Sequence, residues 1–110
     1  MDKKKPPKAS EAVVLERIKI AASSGRYVIW KHGKKRSKER KVQAPDIELV
    51  LEKGRRKKAR DRYDEDLENW SYALEGNCVD GEPLRVVVAL LEVENLLIVT
   101  VVVLGGRDEE

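Results

Sequence analysis

Two apolar segments near the end of the chain limit most strongly what it can fold into. Residues 84–93 and 96–104 are mostly valine, leucine and isoleucine. Residues of this kind favour strands, and continuous apolar runs of this length are typical of strands covered on both faces. The polar pair Glu94-Asn95 between them predicts a tight hairpin. Helices are therefore expected to pack over this hairpin.

The first helix is predicted just after the amino-terminal tail. Ser10 is a suitable N-cap, and Val14, Ile18 and Ala21 recur at helical spacing before Gly25. Glycine at that position commonly ends a helix. A helix is therefore expected over residues 10–25.

Two further helices are expected downstream. One follows His32. Another starts at Ala44-Pro45-Asp46, because proline is well tolerated at the first helical position, and ends at Gly54. The apolar face of the latter consists of Ile47, Val50 and Leu51.

Short strands are predicted around these helices. Residues 26–30 are β-branched and aromatic, and Trp70, Tyr72 and Leu74 alternate with smaller or polar residues, which is typical of a half-buried strand. Residues 55–62 are ambiguous, and an edge strand protected by its charge is one interpretation.

These elements predict an α+β fold in which N-terminal helices pack on an antiparallel β-sheet. Residues 1–9, rich in lysine and proline, are expected to be a disordered basic tail. Residues 10–110 are expected to form a single domain, because a chain of 110 residues supports one hydrophobic core.

The composition favours a soluble cytoplasmic protein. A single cysteine, Cys78, excludes a disulfide within the chain and fits a reducing compartment. The N-terminal sequence MDKKKPPKAS lacks the apolar core of a signal peptide. The longest apolar run is shorter than the roughly 20 residues that a membrane-spanning helix needs. No membrane association is expected.

Charge is distributed unevenly along the chain. Residues 1–60 carry 20 Lys and Arg against 7 Asp and Glu, whereas residues 61–110 carry 3 against 13. Such a division indicates a basic surface for a polyanion. The alternative is that both halves supply ordinary solvated surfaces of one domain.

The segment WKHGKKRSKERK, residues 30–41, contains the only histidine of the chain. In a helix His32, Arg36 and Arg40 would form one stripe, because residues four positions apart lie on the same side. A solvated basic helix is the alternative to a phosphate-binding one. The basic side chains predicted to contact RNA beside this stripe are Lys34, Lys35, Lys38 and Lys41.

A second basic cluster follows Gly54. It can hold a nucleic-acid backbone, since lysine and arginine bind phosphates without regard to sequence, or it can be a charged edge strand. Its predicted RNA contacts are Arg55, Arg56, Lys57 and Lys58.

Four short motifs in order resemble a known family. They are H-x3-R-x3-R, D-I-x-x-V-L-x-x-G, D-G-x-x-L-x-V-V-V and I-V-T-V, within residues 27–104. The chain thereby resembles an uncharacterised bacterial family, a domain of unknown function that looks like a relative of the RelE and MqsR toxins. Those toxins are small ribonucleases with helices and an antiparallel sheet. The resemblance also implies a neighbouring zinc-finger antitoxin of the YgiT type, beside which members of the uncharacterised family often appear.

The resemblance implies an mRNA interferase that cleaves RNA, either free or bound to the ribosome, without metal or cofactor. His32 would act as acid or base, and Arg36 and Arg40 would stabilise the phosphate in the transition state. Tyr72 would donate a proton or stack on a base. Arg85 and Thr100, on adjacent strands, would complete a phosphate cradle.

Other functions remain open at this point. A module of the same fold can bind nucleic acid or protein without catalysis, and an interaction protein can use the acidic half as its main surface. Tyr72 can be a packed strand residue and His32 the cap of a helix. One histidine and one cysteine are too few for a zinc site, so no metal is expected.

Overall fold

The structure is a computed structural model that describes residues 6–29, 42–91 and 95–104. Within these ranges the chain is an α+β domain with two α-helices, one 3₁₀ helix and six strands. In chain order the elements are α1 (Glu11–Ser24), β1 (Tyr27–Ile29), α2 (Ala44–Lys53), β2 (Arg55–Arg56), the 3₁₀ helix (Lys58–Arg60), β3 (Arg62–Asp64), β4 (Asn69–Asn77), β5 (Pro83–Leu90) and β6 (Leu96–Val103).

Both helices begin and end where the sequence indicates. The Ser10 hydroxyl accepts a hydrogen bond from the backbone N–H of Val13 at 3.2 Å. Gly25 follows α1 with a φ of 74°, a left-handed conformation that glycine adopts without strain. α2 has Pro45 in its first turn and Gly54 after its last. Neither of these described helices is long and apolar enough to cross a membrane.

The sheet is mixed, which corrects the prediction of an antiparallel sheet. Its strand order is β1-β6-β5-β4-β2, and β3 also pairs with β4. All pairs are antiparallel except β1 and β6, which run parallel from the pair Tyr27–Leu96 to the pair Ile29–Ile98. β1 has a partner far away in the sequence, so no turn between the two strands could reveal their relative direction.

The predicted hairpin is confirmed, but its first strand is shorter than predicted. β5 ends at Leu90 rather than residue 93, and the Leu91 N–H donates to the Asn95 carbonyl at 3.0 Å. Residues 92–94 lie outside the described ranges. The connection is therefore longer than the pair Glu94-Asn95.

The two described helices pack on one face of the sheet. The predicted apolar faces are confirmed: the buried residues of α1 are Val14, Ile18 and Ala21, and those of α2 are Ile47, Val50 and Leu51. They form one cluster with sheet residues that include Tyr72, Leu74, Leu84, Val86, Val88, Leu96, Ile98 and Val101.

The opposite face, hereafter the open face, is covered by neither α1 nor α2. A smaller cluster of Ala89, Leu97 and Val99 lies there, beside Val87. The prediction that helices cover both faces of the hairpin thus holds for only one face within the described residues. A β-bulge explains part of the continuous apolar run, because Val87 pairs with Thr100 and Val88 with Ile98. The residue between those partners, Val99, is the additional one.

The chain enters α1 along the edge of the sheet. The Trp70 indole Nε1 donates to the Pro6 carbonyl at 2.6 Å, and the Ala9 N–H donates to the Tyr72 hydroxyl at 3.0 Å. Lys8 forms an ion pair with the carboxylate of Asp61 at this same edge. Residues 6–9 thus make specific contacts that their lysine- and proline-rich composition does not indicate.

Candidate nucleic-acid interface

Cross-strand pairing places a row of charged side chains on the open face. Arg55 of β2 lies opposite Glu75 of β4, and Glu75 lies opposite Arg85 of β5. Residues directly opposite one another in an antiparallel pair project from the same face. Arg85 in turn lies opposite Val102 of β6. Two arginines thus flank one glutamate across three strands.

A second basic group, formed by Arg60 and Arg62, lies further along β4. Arg62 of β3 pairs with Ser71, so both are on the same face. A groove of about 260 Å³ joins this group to Arg85. The residues lining the groove are Arg60, Arg62, Asp64, Ser71, Arg85, Val87, Val99, Thr100 and Val102.

Most of these cations lack a carboxylate partner within the described ranges. Among the described residues, Arg55, Arg60 and Arg62 form no ion pair. Arg85 is paired with Glu75, which also lies 3.8 Å from Lys57 Nζ. On this face the guanidinium groups of Arg55, Arg60, Arg62 and Arg85 outnumber the carboxylates of Glu75 and Asp64, so the described residues carry an excess of positive charge there.

Asp61 separates Arg60 from Arg62 and points away from the groove. Its side chain is 1% exposed, and its carboxylate accepts hydrogen bonds from Arg56 and from the backbone N–H of Ala73. Lys8 Nζ lies 3.0 Å from Oδ2. Because the chain is anchored inward at Asp61, its two arginine neighbours are presented outward.

The environment of Asp61 favours its ionised form. Burial alone would raise the pKa of this carboxyl, but hydrogen bonds from Arg56, from the Ala73 N–H and from Lys8 outweigh burial. The pKa of Asp61 is therefore lowered from its ordinary value. The anchor is charged at neutral pH.

Arg56, a predicted RNA contact, is engaged inside the protein. Its side chain is only 7% exposed. The guanidinium donates to Glu11 and Asp61 and to the Ala73 carbonyl, and it lies over the Tyr72 ring at 5.5 Å. Arg56 therefore joins α1 to the sheet. The other residues of this cluster that were predicted to contact RNA are exposed, namely Arg55, Lys57 and Lys58.

Tyr72 lies on the helix-covered face, separated from the other described candidates for catalysis. It is 3% exposed and belongs to the main hydrophobic core. Arg85 and Thr100, by contrast, line the same groove on the open face. The structure thus brings together two of these three side chains.

The remaining predicted site residues lie outside the described residues. This applies to the helix expected after His32, to the stripe of one histidine and two arginines on it, and to the lysines beside that stripe. The chain leaves the described region at Ile29, where β1 runs beside β6, and returns at the buried Val42. The residues concerned are His32, Lys34, Lys35, Arg36, Lys38, Arg40 and Lys41.

Sequence reasoning missed Arg62 and Glu75 as members of this surface. The order Asp61-Arg62 carries a signal, because successive residues at the start of a strand project to opposite sides. Glu75 could be found from the alternation of β4, since Tyr72 and Leu74 face the core and Glu75 therefore faces away. Pairing with Arg85 then follows from the register of β4 and β5.

Comparison with protein-family models matches residues 29–103 to a domain of unknown function (DUF4258). The match extends from the end of β1 to the end of β6, and α1 precedes it. Neither the curated proteins nor the solved structures gave a match to this chain.

Proposed function

Because the chain belongs to the DUF4258 family, whose function is unknown, we propose a function from its own residues. The protein binds the phosphate backbone of RNA on the open face of its sheet, and it acts as a ribonuclease toxin of the RelE/MqsR-like kind. The observation that carries this proposal is a group of arginines on one face that pair with no described carboxylate, namely Arg55, Arg60 and Arg62.

Arginines without carboxylate partners suit phosphate binding. A guanidinium presents a planar set of donors that matches phosphate oxygens, and it remains charged at any physiological pH. Binding several phosphates releases counterions from the nucleic acid, which supplies affinity without sequence selection. The hydroxyl of Thr100 lines the same groove and adds a neutral hydrogen-bonding group, whereas the buried Ser71 hydroxyl donates to the Arg62 carbonyl at 3.2 Å.

Catalysis in this proposal requires the segment that follows β1. His32 is the only histidine of the chain, and an imidazole titrates near neutrality, so it supplies the acid or base for 2′-hydroxyl attack. Arg36 and Arg40 stabilise the charge that develops on the phosphate. The resemblance to RelE and MqsR toxins supports this assignment, and it extends to a YgiT-type antitoxin as partner and to ribosome-bound mRNA as substrate.

A second candidate is a binding module without catalysis. One observation favours it: among the described residues that line the groove, none has an ordinary pKa near neutrality. A surface of this kind holds RNA but offers no described general acid or base. The two candidates share the binding face and differ only in cleavage.

RNA binding is tested with a fluorescein-labelled, mixed-sequence, single-stranded RNA oligonucleotide and fluorescence anisotropy. Arg62→Ala is compared with Lys19→Ala, which removes one positive charge from an exposed position of α1, on the other side of the sheet. We expect Arg62→Ala to weaken binding and to lower the slope of log K against log salt by about 0.7 for each phosphate that the variant no longer neutralises. Equal effects of the two substitutions would contradict binding at the open face.

Cleavage is tested separately by induced expression in a bacterial host. The toxin proposal expects growth arrest by the wild-type chain and normal growth with His32→Ala at equal soluble amounts. Normal growth with both, together with RNA binding that depends on Arg62, would favour the binding module.

A further inference from the structure

We propose that Glu75 occupies, in the RNA-free protein, the place that a backbone phosphate takes when RNA binds. This inference rests on the proposed function of the open face. Glu75 Oε2 accepts a hydrogen bond from Arg85 Nε at 2.9 Å and also lies 2.9 Å from Arg85 Nη2. Its other carboxylate oxygen, Oε1, lies 3.8 Å from Lys57 Nζ.

The position of Glu75 is central among the cations of its row. Arg55 lies opposite it on one neighbouring strand and Arg85 on the other. A single carboxylate thus pairs with Lys57 and Arg85, from two segments of the chain, and lies opposite Arg55. Without this anion, Arg55, Lys57 and Arg85 would face one another as like charges, which is unfavourable across a sheet.

The carboxylate of Glu75 is accessible to a ligand. Its side chain is 22% exposed, and it borders an open depression that Arg55 and Lys53 also line. Ion pairs at partly exposed sites contribute little free energy, so an incoming anion can displace this one. The guanidinium of Arg85 can then offer a phosphodiester oxygen the same Nε and Nη2 edge that it offers Glu75 Oε2.

A tethered carboxylate of this kind makes the site selective for polyanions. Its attachment to the sheet gives it an effective concentration of about millimolar or higher beside Arg85. A small free anion has to compete with that concentration through a single contact. An RNA strand makes several phosphate contacts at once, including those at Arg62, and therefore displaces Glu75 more readily. The ligand class is thus a polyanionic phosphodiester rather than a single phosphate.

The test compares Glu75→Gln with wild type in binding the same labelled RNA. Glutamine keeps the size of the side chain and removes its charge. We expect Glu75→Gln to bind RNA roughly three- to fivefold more tightly, the range that a partly exposed ion pair allows. With each protein held at its own Kd for the RNA, inorganic phosphate at matched ionic strength should displace the RNA from Glu75→Gln at lower concentrations than from wild type.

The matched control is Glu16→Gln, which makes the same charge change at an exposed position of α1. Its affinity should stay close to that of wild type. Thermal melts verify that each variant is folded. If Glu75→Gln is unstable, Glu75→Asp takes its place, because the shorter side chain keeps the charge but weakens the contact with Arg85; an intermediate gain in affinity is then expected.

The outcomes separate this inference from the proposed function. If wild type binds RNA and Arg62→Ala weakens that binding, but Glu75→Gln binds no more tightly than wild type, the inference about Glu75 is wrong and the function stands. If wild type fails to bind RNA even at about 50 mM salt, where phosphate contacts are strongest, both fail together.

Discussion

The guanidinium of Arg56 and the carboxylate of Asp61 form the innermost ion pair of the sheet edge, with 2.6 Å between Nη2 and Oδ2. Glu11 of α1 bonds to the same guanidinium, and Lys8 pairs with the same carboxylate. The pair thus ties the amino-terminal segment to the strand edge that presents Arg60 and Arg62. One buried pair serves both the stability of the fold and the shape of the open face.

Removing one partner of this pair should destabilise the protein strongly. In Arg56→Ala the carboxylate of Asp61 remains buried without its main counterion. Such a change typically costs about 3–5 kcal/mol of unfolding free energy. Urea unfolding measures it, with Arg55→Ala as control: Arg55 is the exposed neighbour and should change stability by less than about 0.5 kcal/mol. Similar losses in both variants would contradict the structural role of Arg56.

The same pair should make stability depend on pH in acid. The pKa of Asp61 is lowered in the folded state, so the stabilisation is fully present above the ordinary carboxyl pKa of about 3.9. It is lost as the pH falls through the lower folded-state value. We expect the difference in unfolding free energy between wild type and Asp61→Asn to shrink as the pH is lowered from about 6 to about 2. A constant difference across that range would contradict this account.

A structural feature of this protein could be predicted from the sequence when the residues that interact in it lie close together in the chain. The Ser10 cap, the Gly25 terminus and the hairpin of β5 and β6 carry local signals and are confirmed. The parallel pairing of β1 with β6 has no such signal, because it joins segments far apart in the chain.

The same distinction holds for the candidate site. Arg85 and Thr100 share a groove because their strands are neighbours in a hairpin, and the sequence indicates this. Arg56 looks like one more member of a basic run. Its burial follows from Glu11 and Asp61, which the fold brings to it from two other segments.

Gly54 should not tolerate a side chain. A Cβ placed there would lie 2.5 Å from the Val50 carbonyl oxygen and 3.0 Å from that of Glu75, both of which are backbone atoms. Gly76 is less restricted, since its nearest contact would be the Gly54 Cα at 3.1 Å. We expect Gly54→Ala to lower the unfolding free energy by about 1–3 kcal/mol, the usual cost of overpacking, and Gly76→Ala to lower it less. The reverse order in denaturant unfolding would contradict the packing of α2 against β4.

Tyr72→Phe should affect stability and leave RNA binding unchanged. The Tyr72 hydroxyl accepts a hydrogen bond from the Ala9 N–H, and its ring lies in the core on the face opposite the groove. Loss of that bond should cost about 1 kcal/mol. Thermal unfolding and anisotropy titrations on the same samples check both statements. A loss of RNA affinity in a stably folded Tyr72→Phe would place Tyr72 at the RNA surface, contrary to this expectation.

The most direct test of the central claim is an NMR titration of the ¹⁵N-labelled protein with single-stranded RNA. The arginine side-chain Nε–H signals and the backbone amides report the binding surface, and the buried Arg56 serves as a control within the same spectrum. We expect the signals of Arg55, Arg62 and Arg85 and the Thr100 amide to shift with RNA concentration, while that of Arg56 Nε–H stays in place. Shifts confined to α1 and α2, or no shifts at low salt, would contradict RNA binding at the open face.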